Sequence, residues 1–126
     1  MNRHRVLIVD DESDIRSIAR LALERVGGWQ VFTAASGLEG VEIAVREQPE
    51  AILLDGAMPG MDGLATLREL REREETRHIP VVFITASVQA AQQRVFRSAG
   101  ARAILAKPFD PMTLAAEVAA ALGWKE

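Results

Sequence analysis

The stretch Ala51-Ile52-Leu53-Leu54-Asp55-Gly56-Ala57-Met58-Pro59-Gly60 decides the fold of this chain. Four apolar residues lead directly to one carboxylate, and turn-forming residues follow at once. A short apolar run between turn formers is typical of a strand that is buried on both faces. The pattern therefore predicts a strand over Ala51–Leu54. Asp55 is expected on the loop beyond it, unpaired in the ladder, at the sheet edge where open α/β folds bind ligands.

Four further apolar runs alternate with helical patterns along the rest of the chain. Strictly alternating units of this size favour a parallel sheet with helices on both faces, and a closed barrel would need eight of them. The sequence therefore predicts an α/β fold of the (βα)5 type, a three-layer sandwich. The other predicted strands are Arg5–Val9, Trp29–Thr33, Pro80–Ile84 and Ala103–Ala106, and the predicted helices are Ser13–Val26, Ser36–Arg46, one from Asp62, Gln89–Ala99 and Met112–Leu122.

The ends and inner faces of these helices follow from capping residues and apolar spacing. Ser36 and Glu39 form a capping-box pattern, Asp62 is a predicted N-cap, and Asp110-Pro111 is a predicted N-cap with proline at the first helical position. Gly123 is a predicted C-cap, and the charged run Arg71–Arg77 is predicted to be a solvated last turn and loop. The predicted inward residues are Ile15, Ile18, Ala19, Ala22 and Val26; Leu38, Val41 and Val45; Leu64, Leu67 and Leu70; Val88, Ala91, Val95 and Ala99; and Leu114, Val118, Ala121 and Leu122.

The composition narrows the class of protein. The 126 residues fit one domain, predicted to span residues 1–126 with its core at about 5–122. A net charge of -3 argues against a nucleic-acid-binding domain, which usually carries a basic stripe. The absence of cysteine excludes disulfides and thiolate metal sites. The sequence has neither an apolar run long enough for a membrane span nor a signal-peptide pattern, so a cytoplasmic location is expected.

Charged and polar residues follow four of the predicted strands: Asp10 and Asp11, Asp55, Thr85 and Lys107. Parallel strands share one carboxyl edge, so these side chains can converge there. Two unit charges about 4 Å apart repel by roughly 4 kcal/mol at an effective dielectric near 20. Lys107 alone cannot balance three acids, whereas a hard divalent cation can. Oxygen-only ligands favour Mg²⁺, and His4 and His78 lie away from these loops and are interpreted as surface residues.

A metal beside Asp55 makes this carboxylate a candidate nucleophile for a phosphoryl group. Asp10 and Asp11 are expected to hold the metal, while Lys107 and the Thr85 hydroxyl bind phosphoryl oxygens. The added charge of about -1.5 to -2 is expected to pull Thr85 and Lys107 inward with their loops. The chain has no P-loop motif, so nothing in the sequence supports direct nucleotide binding.

The chain resembles the receiver domain of two-component response regulators, whose single-domain type is the chemotaxis receiver. The motifs that carry the resemblance are Val9-Asp10-Asp11-Glu12, Leu54 to Gly63, Thr85-Ala86 and Lys107-Pro108-Phe109. The resemblance implies a flavodoxin-like sheet of order 2-1-3-4-5 and phosphotransfer to Asp55 from a sensor histidine kinase or a histidine phosphotransfer protein. It also implies Mg²⁺ held by Asp10, Asp11, Asp55 and the backbone carbonyl of Ala57, and a cis bond before Pro108.

The resemblance also assigns roles to positions where this chain departs from common members of the family. Ile104 stands where many receivers carry an aromatic residue that turns inward on switching. Ala57 and Ser87 stand at the two positions that tune the phosphoryl lifetime, and because alanine cannot orient a water, self-hydrolysis is expected to be slow to moderate. Arg94, Arg97 and Arg102 lie in the usual output region, where a plain solvated helix face is the alternative.

The leading interpretation is thus a phospho-accepting signalling switch rather than a metabolic enzyme. Two alternatives are an aspartate-nucleophile phosphatase, which usually needs a second acid where Ala57 stands, and a degenerate receiver that serves only as an interaction module. The expected partners are the phosphodonor and either a downstream protein or a separate output domain, with no direct contact to nucleic acid or membrane. The sequence leaves a homodimer open, since Trp124 could mark a dimer contact or pack back onto the last helix.

Overall fold

The computed structural model describes residues 3–56, 62–86 and 89–124. In these residues five strands alternate with five helices and form one parallel sheet of order β2-β1-β3-β4-β5, as the resemblance implied. The strands are β1 (Arg5–Val9), β2 (Gln30–Ala34), β3 (Ala51–Asp55), β4 (Val81–Thr85) and β5 (Ala103–Ala106). The helices are α1 (Ser13–Arg25), α2 (Gly37–Glu47), α3 (Gly63–Glu72), α4 (Ala90–Ser98) and α5 (Leu114–Leu122).

The sheet carries an apolar cluster on each face, which gives the three predicted layers. Alternate strand residues such as Ile8 and Leu53 pack with α1 and α5, whereas Leu7 and Ile52 pack with α2, α3 and α4. All five residues of β3 and of β4 are buried, as expected for the central strands of a doubly covered parallel sheet. One strand-end prediction was wrong: Asp55 is the last residue of β3 and pairs with Ile84 in the ladder.

The predicted inner face of α1 was partly wrong. Ala19 and Ala22 are buried as expected, but Ile18 and Val26 are 43% and 47% exposed, and Leu23 is fully buried in their place. Helix α1 shares its side of the sheet with α5 alone, so a narrow stripe of contact suffices and the outer flank stays in solvent. The predicted inner face of α2 was also partly wrong. Val41 is buried as expected, but Leu38 is 60% exposed.

Helix α4 contacts the sheet through an aromatic ring instead of the predicted aliphatic stripe. Phe96 is 2% exposed and stacks on Phe83 of β4 with ring centroids 4.1 Å apart. Ala91 and Val95 are exposed, which contradicts the predicted face, and Val88 lies outside the described residues. The large ring sets the rotation of this short helix, because Phe96 is the one buried residue that α4 contributes to the core.

The helix ends follow the sequence signals with one exception. Ser36 Oγ accepts from the Glu39 N–H, Asp62 accepts from the Ala65 N–H, and Gly123 adopts the left-handed C-cap conformation with φ 74°. The predicted N-cap at Asp110 was wrong, because α5 begins at Leu114 with Thr113 as its N-cap. The Asp110 carboxylate instead accepts from the Met112 N–H, which closes a local turn that competes with the helix.

The charged run from Arg71 to Arg77, which covers the end of α3 and the loop after it, is less solvated than predicted. The half-buried Arg71 donates to the backbone carbonyl of Ile79 at 2.9 Å and to that of Arg77 at 3.2 Å. Burial lowers the pKa of this guanidinium from its usual value. The Thr76 hydroxyl is fully buried and donates to the Leu70 carbonyl at 2.7 Å. These bonds hold the loop that leads into β4, while His78 is exposed as expected.

Described residues near the two ends of the chain pack together at the amino edge of the sheet. Trp124 packs back on the molecule, stacked on His4 at 3.9 Å and edge-on to the buried Trp29 at 5.3 Å. His4 is half-buried and shares an exposed hydrogen bond of 3.0 Å with Glu50, in keeping with its interpretation as a surface residue away from the site. None of the described helices is both long and apolar enough to cross a membrane.

Candidate functional site

The sheet register brings the predicted site residues to one edge. Val9 is level with Leu54, Asp55 with Ile84, and Thr85 with Ala106, so the strands end almost together. Asp10 and Lys107 are each the first residue after a strand, and Asp55 and Thr85 are each the last residue within one. Four segments far apart in the chain therefore present their side chains at a common carboxyl edge, as the sequence predicted.

Lys107 forms ion pairs with both Asp10 and Asp55 at this edge of the sheet. Its Nζ donates to Asp10 Oδ2 at 2.9 Å and lies 3.3 Å from Asp55 Oδ1. Asp10 and Asp55 are only 3% and 5% exposed, so their charges face each other away from bulk water. Glu12 Oε1 is a more distant partner, 3.9 Å from Nζ, on a side chain that is mostly exposed. The lysine thus neutralises part of the repulsion between two buried carboxylates.

The pKa of the Lys107 ammonium reflects two opposing causes. Burial lowers it, but the hydrogen bond to Asp10 and the charges of Asp10 and Asp55 outweigh burial and raise the pKa above its usual value. The folded chain therefore holds this proton more tightly than the unfolded chain, and charged Lys107 stabilises the folded state. The stability that charged Lys107 contributes is complete below the unfolded pKa of about 10.4 and is lost as the pH rises through the folded value.

We therefore expect the free energy of unfolding to fall as the pH rises above about 10.4. The chain has no tyrosine and no cysteine and only two lysines, so few other groups titrate in this range. Urea denaturation of the wild type and of Lys107→Gln should show the fall in the wild type alone. Lys125→Gln is the matched control and should keep the fall. An equal alkaline loss of stability in Lys107→Gln would contradict the role of this ion pair.

Asp10, Asp11 and Asp55 form a group that could hold a cation. One carboxylate oxygen from each lies within 4.8 Å of the others. Ligand oxygens around an octahedral Mg²⁺ stand about 3.0 Å apart when adjacent and about 4.2 Å apart when opposite, so at least one of these acids must move closer for all three to bind one ion. Asp11 is exposed and can make that shift, and solvent can complete the remaining positions. The donor set is entirely oxygen, so it fits Mg²⁺ and does not resemble a zinc site.

A cavity of about 230 Å³ opens above Asp55. Gly56 packs closely beside this cavity, because a Cβ at that position would stand 3.1 Å from Thr85 Oγ1 and 3.4 Å from the buried ring of Phe96. Thr85 itself is 5% exposed. The cavity is large enough for a phosphoryl group together with water molecules. Its lining residues are Glu12, Asp55, Gly56, Thr85, Ala86, Gln92 and Lys107.

The sequence analysis assigned no role to three residues at this edge. Arg16 of α1 donates to the Asp10 carbonyl at 2.8 Å, and Gly63 brings the start of α3 against the Asp55 backbone. Gln92 of α4 lines the cavity. The position of Arg16 one turn into the helix that follows Asp10 was a usable signal, and Gly63 belongs to a motif that carries the resemblance. Gln92 carried no signal, because its placement depends on how α4 rotates against the sheet.

The other predicted site residues are distributed more widely. Ala57 and Ser87 lie outside the described residues. Ile104 is half-buried and packs against the cluster under α2, α3 and α4. Arg94, Arg97 and Arg102 are exposed, and Arg94 faces Arg68 across an open groove between α4 and α3. The bond between Lys107 and Pro108 is cis, as the resemblance implied.

The parallel sheet and the acidic pocket at its carboxyl edge define a receiver-type signalling domain. The family profile described as response regulator receiver domain matches residues 6–119, and the chain belongs to this family. It is therefore a signalling domain of the two-component type rather than a classical metabolic enzyme.

Individual relatives agree with this assignment. Protein PilH of Pseudomonas aeruginosa is 37% identical over 94% of this chain and 97% of its own length. Response regulator PleD of Caulobacter vibrioides is 41% identical, but the chain spans only 25% of that protein. Among solved structures, the Vibrio cholerae chemotaxis protein CheY4 is similar with a TM-score of 0.89 at 28% identity, covering 95% of this chain and 99% of that one.

Proposed function

We propose that this chain is a phospho-accepting switch whose acceptor is Asp55. The observation that carries the proposal is the position of the Asp55 carboxylate, which lies beside Lys107 Nζ at 3.3 Å on the floor of an open cavity. The phosphodonor is a sensor histidine kinase or a histidine phosphotransfer protein. The output is a change of surface that regulates a downstream protein or an attached output domain.

In the proposed transfer an Asp55 oxygen attacks the phosphorus of a phosphohistidine. A new oxygen–phosphorus bond forms, the nitrogen–phosphorus bond breaks, and the imidazole nitrogen keeps the electron pair. Lys107 Nζ, already within reach of Asp55, pairs with one phosphoryl oxygen, and the Thr85 hydroxyl donates to another. Burial of Asp55 strengthens both interactions, since few waters compete for them.

Asp10, Asp11 and Asp55 are proposed to hold Mg²⁺, with the backbone carbonyl of Ala57 as a further ligand. When bound, Mg²⁺ supplies positive charge that offsets the phosphoryl oxygens in the transfer. The support for this ligand set is the close group of three carboxylates. Asp10 is held in place on both sides, because Oδ1 accepts from the Glu12 N–H at 2.9 Å and Oδ2 accepts from Lys107.

Replacing Asp11 by Asn should weaken Mg²⁺ binding by at least about tenfold, since the exposed carboxylate loses its charge without disturbing the core. Isothermal titration calorimetry with MgCl₂ measures the affinity directly. Asp14→Asn is the matched control, because Asp14 is an equally exposed acid in the first turn of α1 but lies outside the carboxylate group. Equal Mg²⁺ affinities for the two variants would contradict the assignment of Asp11.

The proposed switch needs Thr85 and Lys107 to move towards the phosphoryl group and carry their loops with them. Shifting a two-state equilibrium from 1:99 to 99:1 takes about 5.5 kcal/mol of differential stabilisation. The charge-assisted bonds from Lys107 and Thr85 to phosphoryl oxygens are of the right strength to supply it. Ile104 on β5 and the exposed Arg94, Arg97 and Arg102 are the proposed readout, and Ala57 and Ser87 are proposed to tune the phosphoryl lifetime.

Acetyl phosphate in magnesium buffer tests the acceptor directly. We expect one added phosphoryl group in the intact mass, located to Asp55 by peptide mapping after reduction of the acyl phosphate with borohydride. Turnover of p-nitrophenyl phosphate without a stable label would instead support an aspartate-nucleophile phosphatase. An unlabelled chain under the same conditions would favour a receiver that acts only through binding.

A further inference from the structure

We propose that the side-chain amide of Gln92 orients the water that hydrolyses the phosphoryl group on Asp55. The inference rests on the proposed function and adds a residue that sets the lifetime of the phosphorylated state. It starts from the cavity above Asp55, whose lining includes Gln92 from α4 although the residue lies 37 positions further along the chain.

The direction from which water attacks phosphorus places that water at the mouth of the cavity. Asp55 is 5% exposed and lies on the floor, so a phosphoryl group bound to its oxygen extends outwards towards solvent. Hydrolysis requires a water roughly in line with the breaking bond, on the side of phosphorus away from Asp55. That side is the mouth of the cavity, and Gln92 is an exposed residue in its lining.

The other described residues of the lining are poorly suited to hold this water. Lys107 and Thr85 lie deep in the cavity and are assigned to phosphoryl oxygens. Glu12 also reaches the mouth, but it stands 3.9 Å from Lys107 Nζ and its charge repels a phosphoryl group. Gly56 and Ala86 have no polar side-chain atom. Of the two positions proposed to tune lifetime, Ala57 has none either, and Ser87 has a single hydroxyl, which cannot bond the water and a phosphoryl oxygen through two separate groups as an amide does.

A glutamine amide matches what the step requires. Its carbonyl oxygen can accept a hydrogen bond from the water, its NH₂ can donate to a phosphoryl oxygen, and it brings no charge. The water oxygen then attacks phosphorus, the bond from phosphorus to the Asp55 oxygen breaks, and Asp55 leaves as a carboxylate. The proton of the water passes to the departing inorganic phosphate, so Gln92 is unchanged at the end.

The test follows loss of the label from the full chain. Wild type, Gln92→Ala, Gln92→Met and Gln93→Ala are phosphorylated with acetyl phosphate, freed of donor, and sampled for label on Asp55 in magnesium buffer. One hydrogen bond that orients a reactant changes a rate by about three- to tenfold. We expect Gln92→Ala and Gln92→Met to lose the label that much more slowly than the wild type. Gln93→Ala, a neighbouring glutamine outside the cavity lining, should keep the wild-type rate.

The methionine variant distinguishes the effect of the amide's hydrogen bonds from the effect of side-chain volume, because methionine fills a similar volume without making those hydrogen bonds. If Gln92 only shielded the phosphoryl group, Gln92→Met would lose label at the wild-type rate and Gln92→Ala would lose it faster. Either result overturns the inference. If all four chains take the label and lose it at equal rates, the inference is also overturned, while the proposed function stands. Absence of label on the wild-type Asp55 overturns both. Far-UV circular dichroism checks that the helix-surface variants are folded.

Discussion

Replacing Asp55 by Asn is expected to abolish labelling by acetyl phosphate, because a neutral amide is a poor nucleophile for phosphorus and cannot form the acyl phosphate. The variant is expected to remain folded, since the change relieves the repulsion between two buried carboxylates and leaves Lys107 paired with Asp10. Intact-mass measurement after incubation with acetyl phosphate and Mg²⁺ should show the unmodified mass for the variant and one added phosphoryl group for the wild type.

Asp62→Asn is the matched control for this experiment. Asp62 is an exposed acid that caps α3 by accepting from the Ala65 N–H at 2.8 Å, and asparagine caps helices about as well as aspartate. This variant should therefore fold and take the label like the wild type. A label that persists in Asp55→Asn would show that another carboxylate is the acceptor, and the proposed function would have to be revised.

Replacing Gly63 by Ala is expected to destabilise the chain by about 2–3 kcal/mol and to reduce labelling of Asp55. An added Cβ would stand 2.5 Å from the Asp55 carbonyl oxygen, 2.8 Å from Phe83 Cε1 and 2.9 Å from Gly56 Cα. Two of these atoms belong to the backbone next to the acceptor, and the third belongs to a ring that stacks on Phe96. The start of α3 must therefore move away from β3, which disturbs the carboxylate itself.

Urea denaturation measures the loss, and Gly40→Ala provides the comparison. An added Cβ at Gly40 would stand 2.7 Å from Val9 Cγ2 and would meet only that side chain among the nearest atoms. A rotamer change can relieve part of this clash, so a smaller loss of about 1 kcal/mol is expected. Equal stability of Gly63→Ala and the wild type would contradict the close approach of α3 to β3.

The order of the elements was accessible from the sequence because each strand is a short apolar run and each helix has a repeating apolar spacing. All five strands and the helix signals at Ser36, Asp62 and Gly123 were placed to within a residue or two, since capping and turn chemistry act locally. The error at Asp110 has the same origin, because a carboxylate that can cap a helix can equally close a turn before it.

The rotation of each helix about its own axis was harder to predict from the sequence. Apolar spacing defines a broad stripe on a helix, but the sheet covers only part of it. Ile18 and Val95 belong to the predicted stripes and are 43% and 44% exposed, whereas Leu23 and Phe96 carry the contact. Which residues of a stripe are buried depends on the width of the sheet beneath and on the neighbouring helix, and neither is encoded within one helix.

The sequence by itself determined the alternation of strands and helices and the polar residues that end the strands. Parallel pairing then necessarily gathers Asp10, Asp55, Thr85 and Lys107 at one edge, because every strand points the same way. Only the tertiary structure decided which side chains meet there: Lys107 Nζ between two buried carboxylates, Gly63 against the Asp55 backbone, and Gln92 over the cavity. Those contacts depend on distances of a few ångströms between segments far apart in the chain, and such distances are set by how the layers pack.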